Sequence, residues 1–433
     1  MGRQDWDIIV VGGGLAGLAA SIYAAQGGVR VLLLERSAHM GGRAITTMRN
    51  DYLFNLGPHA LYRGGCAAAA LADLGVSISG GMPPLAGAFA YHGGRLHTFP
   101  SGAVSLLVTD LISTEGKQEL AAFRKGLSHE DPERIDFTTT DEWLERSLKH
   151  AMARDIMRSL IRTATFVHAI DSYSAGAALR QLQLGGAGAL YLDYGWQSIV
   201  NGLVGRASRA QDTGLRLEPS RCVKRVESAA DHAAVQLDDG SRIEAAAVII
   251  ATRPGAAVEM LGGPSSTLGA WFASTRPARV ACWSVGLREL PNAVHRLTLG
   301  IDRPLYLSVH SEAARLAPRG RAVVHIAKYL GHQVSDPASD RAEMESLFNL
   351  AQPGWKDLVE AEEFLPAITV VDAVPAAAQG GLRGRPGPAL PGYSRVFVAG
   401  DWVGEKGQLA DASLASAKQA AALALDVSVS QTA

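Results

Sequence analysis

The stretch "DIIVVGGGLAGLAASIYAAQGGVRVLLLER", residues Asp7–Arg36, decides the fold. It opens with an apolar, mostly β-branched run, which is typical of a strand buried on both faces. Gly12, Gly14 and Gly17 follow in the spacing G-x-G-x-x-G, and an alanine-rich segment after them predicts a helix. A second apolar run ends at Glu35. This order of strand, glycine turn, helix and strand predicts a Rossmann-like α/β unit.

Each residue type in this unit suits a dinucleotide. Gly12 permits the tight turn, Gly14 lets the backbone approach a pyrophosphate, and Gly17 lets helix and strand pack closely. The phosphates would bind the free N–H groups at the positive end of the helix. Glu35 lies where an acid accepts hydrogen bonds from ribose hydroxyls. We therefore predict a dinucleotide site here.

Composition excludes several other classes of protein. The chain has 433 residues, of which 47% are hydrophobic and 19% charged, as in an ordinary globular protein. The formal net charge of −1 gives no electrostatic support for a nucleic-acid partner. No arrangement of residues indicates a metal site.

Cysteine usage and hydropathy predict a cytoplasmic protein. The three cysteines are widely spaced, which favours a reducing compartment. The first strand starts within a few residues of Met1, which leaves no room for a signal peptide, and no apolar run is long enough to span a bilayer. The stretch Ala103–Ile112 predicts a buried helix; the alternative is a helix that lies on the inner face of a membrane.

The segment after Glu35 leads to a family. Gly41-Gly42-Arg43 would place a turn and a guanidinium beside the phosphates, and a planar donor fork suits phosphate oxygens. The fingerprint, the terminal acid and this G-G-R together resemble the flavin-containing amine oxidase and phytoene desaturase superfamily. The resemblance implies FAD as the cofactor.

The resemblance also implies where the rest of the flavin site lies. "FNLGPHALYRGG" would pass close to the flavin ring, and His59 in it is interpreted either as a redox-site residue or as a structural histidine. Asp401 would bind the ribityl chain, and a helix from about Leu409 would point its positive end at the N1–O2 edge, where reduced flavin carries negative charge. The predicted cofactor residues are Gly12, Gly14, Leu15, Ala16, Gly17, Glu35, Arg36, Gly41, Gly42, Arg43, Gly57, His59, Val223, Ala251, Gly400, Asp401, Gln408 and Leu409. His59 and Gln408 are also the candidate catalytic residues.

These segments predict a discontinuous arrangement of two domains. Residues 1–75, 190–262 and 375–433 would form the FAD-binding domain, with a parallel sheet and a three-stranded β-meander between Cys222 and Thr252. Residues 76–189 and 263–374 would form an α+β substrate domain. It contains a helical pattern from Glu142 to Ile161 and strand-like runs at Val280–Leu287, Leu305–Val309 and Ala322–Ala327. His325 and His332 are interpreted as structural rather than as metal ligands.

Three branches of the superfamily compete for the reaction. Amine oxidases carry a cage aromatic where this chain has Gln408, and a lysine on a strand like Val280–Leu287, which has none; Lys328 is a spare candidate. Ala317-Pro318-x-Gly320, with Glu312 before it, is similar to a phytoene desaturase segment. Protoporphyrinogen oxidase is the third branch. The closest pattern is that of phytoene desaturase-like proteins.

The expected activity is therefore FAD-dependent dehydrogenation of a mainly hydrophobic small molecule by hydride transfer to flavin N5. No second nucleotide fingerprint is present, so the electron acceptor is expected to be dioxygen or a quinone. The last cysteine is Cys282, far from the C-terminal flavin segment, so FAD is predicted to be non-covalent. A flavoprotein with structural or isomerase use of FAD stays open as a further alternative.

Overall fold

The structure is a computed structural model and describes residues 6–83, 85, 87–210, 214–331 and 335–429. The strands are β1 (Ile8–Val11), β2 (Val31–Leu34), β3 (Thr46–Arg49), β4 (Tyr52–Asn55), β5 (Leu61–Tyr62), β6 (Gly80–Gly81), β7 (Phe89–His92), β8 (Arg95–Thr98), β9 (Ala189–Leu192), β10 (Leu215–Glu218), β11 (Val223–Ser228), β12 (Ala233–Leu237), β13 (Arg242–Ala245), β14 (Ala247–Ile250), β15 (Ala278–Leu287), β16 (Leu297–Gly300), β17 (Leu305–Val309), β18 (Ala322–Leu330), β19 (Val359–Val371) and β20 (Val396–Val398). The α-helices are α1 (Leu15–Gln26), α2 (Cys66–Asp73), α3 (Ala103–Val108), α4 (Thr114–Gly126), α5 (Thr140–Ser147), α6 (Ala151–Thr165), α7 (Ala175–Gly185), α8 (Gln197–Arg209), α9 (Pro254–Met260), α10 (Thr267–Ala273), α11 (Pro337–Ala351) and α12 (Leu409–Val429).

A five-stranded sheet in the order β10-β2-β1-β14-β20 carries the glycine turn. Its neighbouring strands all pair in parallel. β1 is fully buried because α1 and α12 cover one face and the meander β11-β12-β13 and α9 lie on the other. Strands buried on both faces need apolar residues at every position, which explains the continuous run at Ile8–Val11. The prediction of a Rossmann-like α/β fold with a three-stranded meander is confirmed.

The second large sheet has seven strands in the order β19-β15-β18-β17-β16-β7-β8. Side chains alternate along β15: Ala281 and Trp283 pack against α11, while Val280 and Cys282 face the other way, toward α6 and α7. We call this second surface the Cys282 face. Gly57 lies against it, because a Cβ on Gly57 would lie 2.7 Å from Cys282 Sγ.

The strands divide among the predicted domain segments as follows. The five parallel strands and the meander come from residues 1–75, 190–262 and 375–433, and the seven-stranded sheet comes from 76–189 and 263–374. A small sheet β5-β9-β6 joins residues from both sets. The domain division itself stays a prediction.

One local prediction, the buried helix at Ala103–Ile112, is wrong. The helix α3 ends at Val108 and has no buried residue, whereas Leu111 and Ile112 beyond it pack into the core. A helix of six residues is too short to bury a continuous face: Leu106 packs partly buried against the core, while Val104, Leu107 and Val108 stay exposed.

The helical pattern from Glu142 to Ile161 is present as two helices, α5 and α6. Leu148 is extended between them, and the Glu119 carboxylate accepts hydrogen bonds from the backbone N–H groups of Lys149 and His150. A contact from α4 thus takes N–H groups that a continuous helix would use. Within the described ranges, no helix has the length and hydropathy needed to cross a membrane.

Candidate cofactor and active site

The glycine turn has the geometry expected for a pyrophosphate. Gly12 has φ 108°, and a Cβ on Gly17 would lie 1.8 Å from Gly12 O, so both positions require glycine. A Cβ on Gly14 would meet no atom within 4 Å, so the space in front of this residue is open. Leu15 and Ala16 form the first turn of α1 behind it.

Glu35 lies at the edge of this turn. Its Oε2 accepts from Gly13 N at 2.6 Å and its Oε1 from Ser37 N at 2.8 Å, so the carboxylate is held in place by backbone. Gly41 N donates to Gly13 O at 2.8 Å and brings the G-G-R segment to the same point. Arg36 and Gly42 are exposed there.

The meander and β14 approach from the other side. Arg221 N donates to Glu35 O at 2.8 Å, which places Val223, at the start of β11, close to the end of β2. Ala251 N donates to Val11 O at 2.8 Å, beside the glycine turn. The predicted nucleotide residues from three segments of the chain therefore converge.

Arg43 lies in an ion cluster with two buried aspartates. Its Nη2 is 2.7 Å from Asp401 Oδ1 and its Nη1 is 3.1 Å from Asp401 Oδ2, a bidentate pair. Nη2 is also 3.1 Å from Asp372 Oδ2, and Arg253 Nε donates to Asp372 Oδ1 at 2.7 Å. The sequence analysis missed Asp372, whose signal is an acid at the end of the apolar run of β19. The predicted phosphate contact of Arg43 stays a prediction.

The charges of this cluster are strongly coupled. Burial favours the protonated form of Asp401, but the charge and hydrogen bonds of Arg43 outweigh it and lower the pKa of Asp401. Burial, together with the Asp401 charge, raises the pKa of Asp372. Arg43 thus keeps a carboxylate ionised in the interior, at the position predicted for the ribityl chain.

The Gly400–Asp401 turn is fixed by α12. Gly400 N donates to Ser416 Oγ at 3.0 Å, and Ser416 Oγ donates to Gly400 O at 3.1 Å. Trp402 is fully buried and donates from Nε1 to Thr252 O at 3.0 Å. The turn and the start of α12 therefore form one rigid unit.

His59 lies beside Gly57 on the Cys282 face. Its Nδ1 is 3.0 Å from Gly57 O, and its ring packs 5.0 Å from that of Trp196. Burial lowers the pKa of His59, and the charge of Arg43 acts in the same direction. A neutral imidazole next to the Arg43 cluster is consistent with both interpretations of His59.

A buried group of polar side chains continues from His59, and sequence analysis missed most of it because its members are far apart in the chain. We call it the histidine–tyrosine cluster; it consists of Tyr191, Tyr306, Ser308, His310 and His325. Tyr191 OH is 2.8 Å from Tyr306 OH, and Tyr306 OH is 3.2 Å from His310 Nε2. Burial lowers the pKa of His310, and it lowers that of His325 to about 3. The cluster is therefore uncharged at neutral pH. His332 lies outside the described residues.

Gln408 is buried, and both ends of its amide are bonded. Oε1 accepts from Tyr173 OH at 2.8 Å, and Nε2 donates to Ala177 O at 2.9 Å. Leu409 follows with φ 56° and opens α12. The structure thus gives Gln408 a role in positioning α12, and its catalytic role stays a prediction.

The arrangement fits FAD. The open space before Gly14, the carboxylates of Glu35 and Asp401 and the N-terminus of the 21-residue α12 match the groups that a pyrophosphate, two sugar-like chains and a flavin ring would require. Arg385 supplies a further indication, since two of its buried nitrogen atoms have no partner among the described residues.

The desaturase-like segment lies elsewhere on the surface. Residues 311–315 and 317–321 border a cavity of about 390 Å³ together with Gly80 and Asp193. Glu312 there forms an ion pair with Arg296 at 3.3 Å. In the described part of the chain, no group of three histidine, cysteine or acidic residues has the arrangement of a metal site.

Comparison with known proteins identifies the family. The family model of flavin containing amine oxidoreductases matches residues 15–279. The chain belongs to this family. Hydroxyneurosporene desaturase of Rhodobacter capsulatus is 26% identical over 322 residues, which cover 62% of this chain and 63% of that protein. The chain thus matches less than two thirds of the length of its curated relatives.

Solved structures show the same fold. An oxidoreductase from Methanosarcina mazei superposes with a TM-score of 0.75 at 15% identity, covering 95% of this chain and 99% of the other. Cyclohexylamine oxidase from Brevibacterium oxydans superposes with a TM-score of 0.72 at 15% identity, covering 98% and 99%. Family membership implies a flavin cofactor and an oxidoreductase.

Proposed function

We propose that this protein is an FAD-dependent dehydrogenase that introduces a carbon–carbon double bond into a mainly hydrophobic small molecule. FAD would bind non-covalently and accept a hydride at N5, while the neighbouring carbon of the substrate loses a proton to solvent. Glu35 and Asp401 would hold the two sugar-like chains. Arg43, which is paired with the Asp401 carboxylate, would contact the phosphates. Dioxygen or a quinone would serve as the electron acceptor.

The observation that carries this proposal is the character of the Cys282 face. Along β15 and β18 this face presents Val280, Cys282, Ala327 and Tyr329, and all are buried. His325 on this face is held neutral, as described above. Around Val280, Cys282, Ala327 and Tyr329 the sheet places no charged side chain among the described residues, which suits a substrate that carries no charge; Glu363, farther along the face opposite Ser284, is paired with Arg49.

Lys328 is absent from this face. Its Nζ pairs instead with Asp340 at 2.8 Å and with Glu343 at 2.6 Å, both on α11 at the opposite side of the sheet. The spare lysine that an amine oxidase would require near the flavin is therefore engaged elsewhere, which supports desaturation over amine oxidation. The likeness to a carotenoid desaturase supports the same choice.

The test is anaerobic mixing of the oxidised protein with simple amines and, separately, with polyene or prenyl-type alkenes in detergent. Flavin bleaching by an alkene, at a rate that changes little between pH 6 and 8, is the expected result. An amine must lose its proton before its α-hydride leaves, so bleaching by an amine at a rate that rises through that amine's pKa would establish amine oxidation instead. Flavin that no substrate bleaches, combined with isomerisation of an alkene, would establish non-redox use of FAD.

Contact with a membrane surface would give access to such a substrate. Val104, Leu107 and Val108 on α3 are 75%, 75% and 65% exposed. Three apolar side chains on one short exposed helix support peripheral insertion at a lipid interface. Flotation with liposomes should recover the wild-type protein and lose the Leu107→Ser variant; equal flotation of both would exclude α3 as the contact.

A further inference from the structure

Arg385 is a buried cation without a full set of partners. Arg385 is 7% exposed, and its Nη1 donates to Gly407 O at 3.0 Å. Nε and Nη2 are buried and have no hydrogen-bond partner among the described residues. Burial lowers the pKa of Arg385 to about 10, so the guanidinium is still charged at neutral pH. A buried charge with unpaired donors is costly unless a ligand supplies the missing acceptors.

Among the described residues, Arg162 is the other buried arginine, and none of its nitrogen atoms is buried without a hydrogen-bond partner. Arg162 is 6% exposed, and its Nη2 donates to two backbone carbonyl oxygens, Gly300 O at 2.8 Å and Ile301 O at 3.3 Å. The partly buried Arg206 and Arg221 each have one Nε without a hydrogen-bond partner among the described residues, whereas Arg385 has two such nitrogen atoms.

The position of Arg385 points to the missing acceptor. Gly407, its one partner, lies two residues before the start of α12, whose N-terminal N–H groups carry partial positive charge. Asp401 contributes to the electrostatic environment of Arg385, but both carboxylate oxygens of Asp401 are bonded to Arg43. The guanidinium therefore lies next to the segment that opens α12.

We propose that Arg385 donates to the pyrimidine edge of the bound flavin, at N1 and the C2 carbonyl oxygen, and thereby raises the reduction potential of the flavin. This inference rests on the proposed function. Negative charge accumulates at that edge when a flavin is reduced, so a fixed buried cation there favours the reduced over the oxidised form. Arg385 is in this view a flavin-tuning residue that the family fingerprint does not include.

The test measures the flavin itself, with no substrate present. In the FAD-loaded protein, Arg385→Gln should lose ten- to a hundredfold of the preference for reduced over oxidised FAD, which lowers the midpoint potential by about 30–60 mV for a two-electron couple. Sulfite adds to flavin N5 and leaves negative charge at the same edge, so its dissociation constant should rise by a similar factor. Arg385→Lys keeps a buried cation with fewer donors and should show a smaller loss, of about three- to tenfold. Arg383→Gln is the control, since Arg383 is 46% exposed in its side chain and pairs with Glu133; its potential should equal that of the wild type.

Each outcome separates this inference from the proposed function. A wild-type potential and sulfite affinity in every Arg385 variant that folds and binds FAD would overturn the inference and leave the proposed function intact. An unchanged potential with a raised KM would also overturn it, because the acceptor would then be an anionic group of the substrate. A wild-type protein that binds no FAD would overturn both.

Discussion

Replacement of Arg43 by methionine tests the ion cluster around Asp401. The variant leaves two buried aspartates, at 4% and 2% side-chain exposure, with Arg253 bonded to Asp372 and the charge of Arg385 acting on Asp401. Removal of one partner of a fully buried pair costs about 3–5 kcal/mol. Because the Arg43 side chain is 40% exposed, solvent screens part of the interaction. We therefore expect the variant to lose about 2–3 kcal/mol of unfolding free energy at pH 8.

The pH dependence of this loss has a definite sign. In the wild type, Arg43 lowers the pKa of Asp401, so that pair stabilises the fold above the ordinary pKa of an aspartate. Without Arg43, burial raises the pKa of both carboxyl groups, and they take up a proton more readily in the folded than in the unfolded protein. Such groups contribute stability at low pH that is lost as the pH rises, so the defect of the variant should be smaller at pH 5 than at pH 8.

The assay is urea unfolding followed by tryptophan fluorescence, on protein as purified and with flavin content recorded. Arg30→Met is the matched control, because Arg30 forms a similar two-pronged pair with Asp7, whose carboxylate is 31% exposed. We expect this control to lose less than about 1 kcal/mol. Equal losses in both variants, or a loss for Arg43→Met that does not change with pH, would refute the reasoning. The same variant should bind FAD about ten- to a hundredfold more weakly, since a charge-assisted contact contributes about 1.5–3 kcal/mol.

Three further outcomes follow from burial. Burial raises the pKa of Asp411 to about 6, so its stabilising contribution is lost as the pH rises through 6, and Asp411→Asn should unfold at higher urea than the wild type at pH 8 but not at pH 4. Burial lowers the pKa of His325 to about 3, so the free energy of unfolding falls as the pH falls below about 6.5, the ordinary pKa of histidine. His325→Asn should therefore reduce the slope of the unfolding free energy against pH, between pH 6 and 4, by about 1.4 kcal/mol per pH unit. An unchanged slope would show that His325 does not stay neutral. Gly57→Ala should lower thermal stability and flavin content more than Gly240→Ala, because both have φ above 80° but only the first would place a Cβ 2.7 Å from Cys282 Sγ; equal effects would leave backbone strain alone as the cause.

The sequence by itself determined the nucleotide unit. A strand buried on both faces requires an unbroken apolar run, and a pyrophosphate at a helix terminus requires glycine where Gly12 and Gly17 lie. These requirements can be recognised in the sequence because the residues that meet them are neighbours in the chain. For the same reason the start of α12 at Leu409 and the strands β15 and β17 were predicted to within two residues.

Only the tertiary structure decided which distant residues share the interior. The pairing of Arg43 with Asp401 spans 358 residues, and the bond between Tyr173 and Gln408 spans 235. The same kind of long-range contact determines the surroundings of Asp372, the histidine–tyrosine cluster and the unpaired donors of Arg385. The sequence pattern does not predict these contacts. The helix break before α6 has the same origin, since the Glu119 carboxylate on α4 takes the N–H groups there. Local patterns specify backbone conformation, whereas the charges and free donors of a site depend on which side chains the fold brings within hydrogen-bond distance.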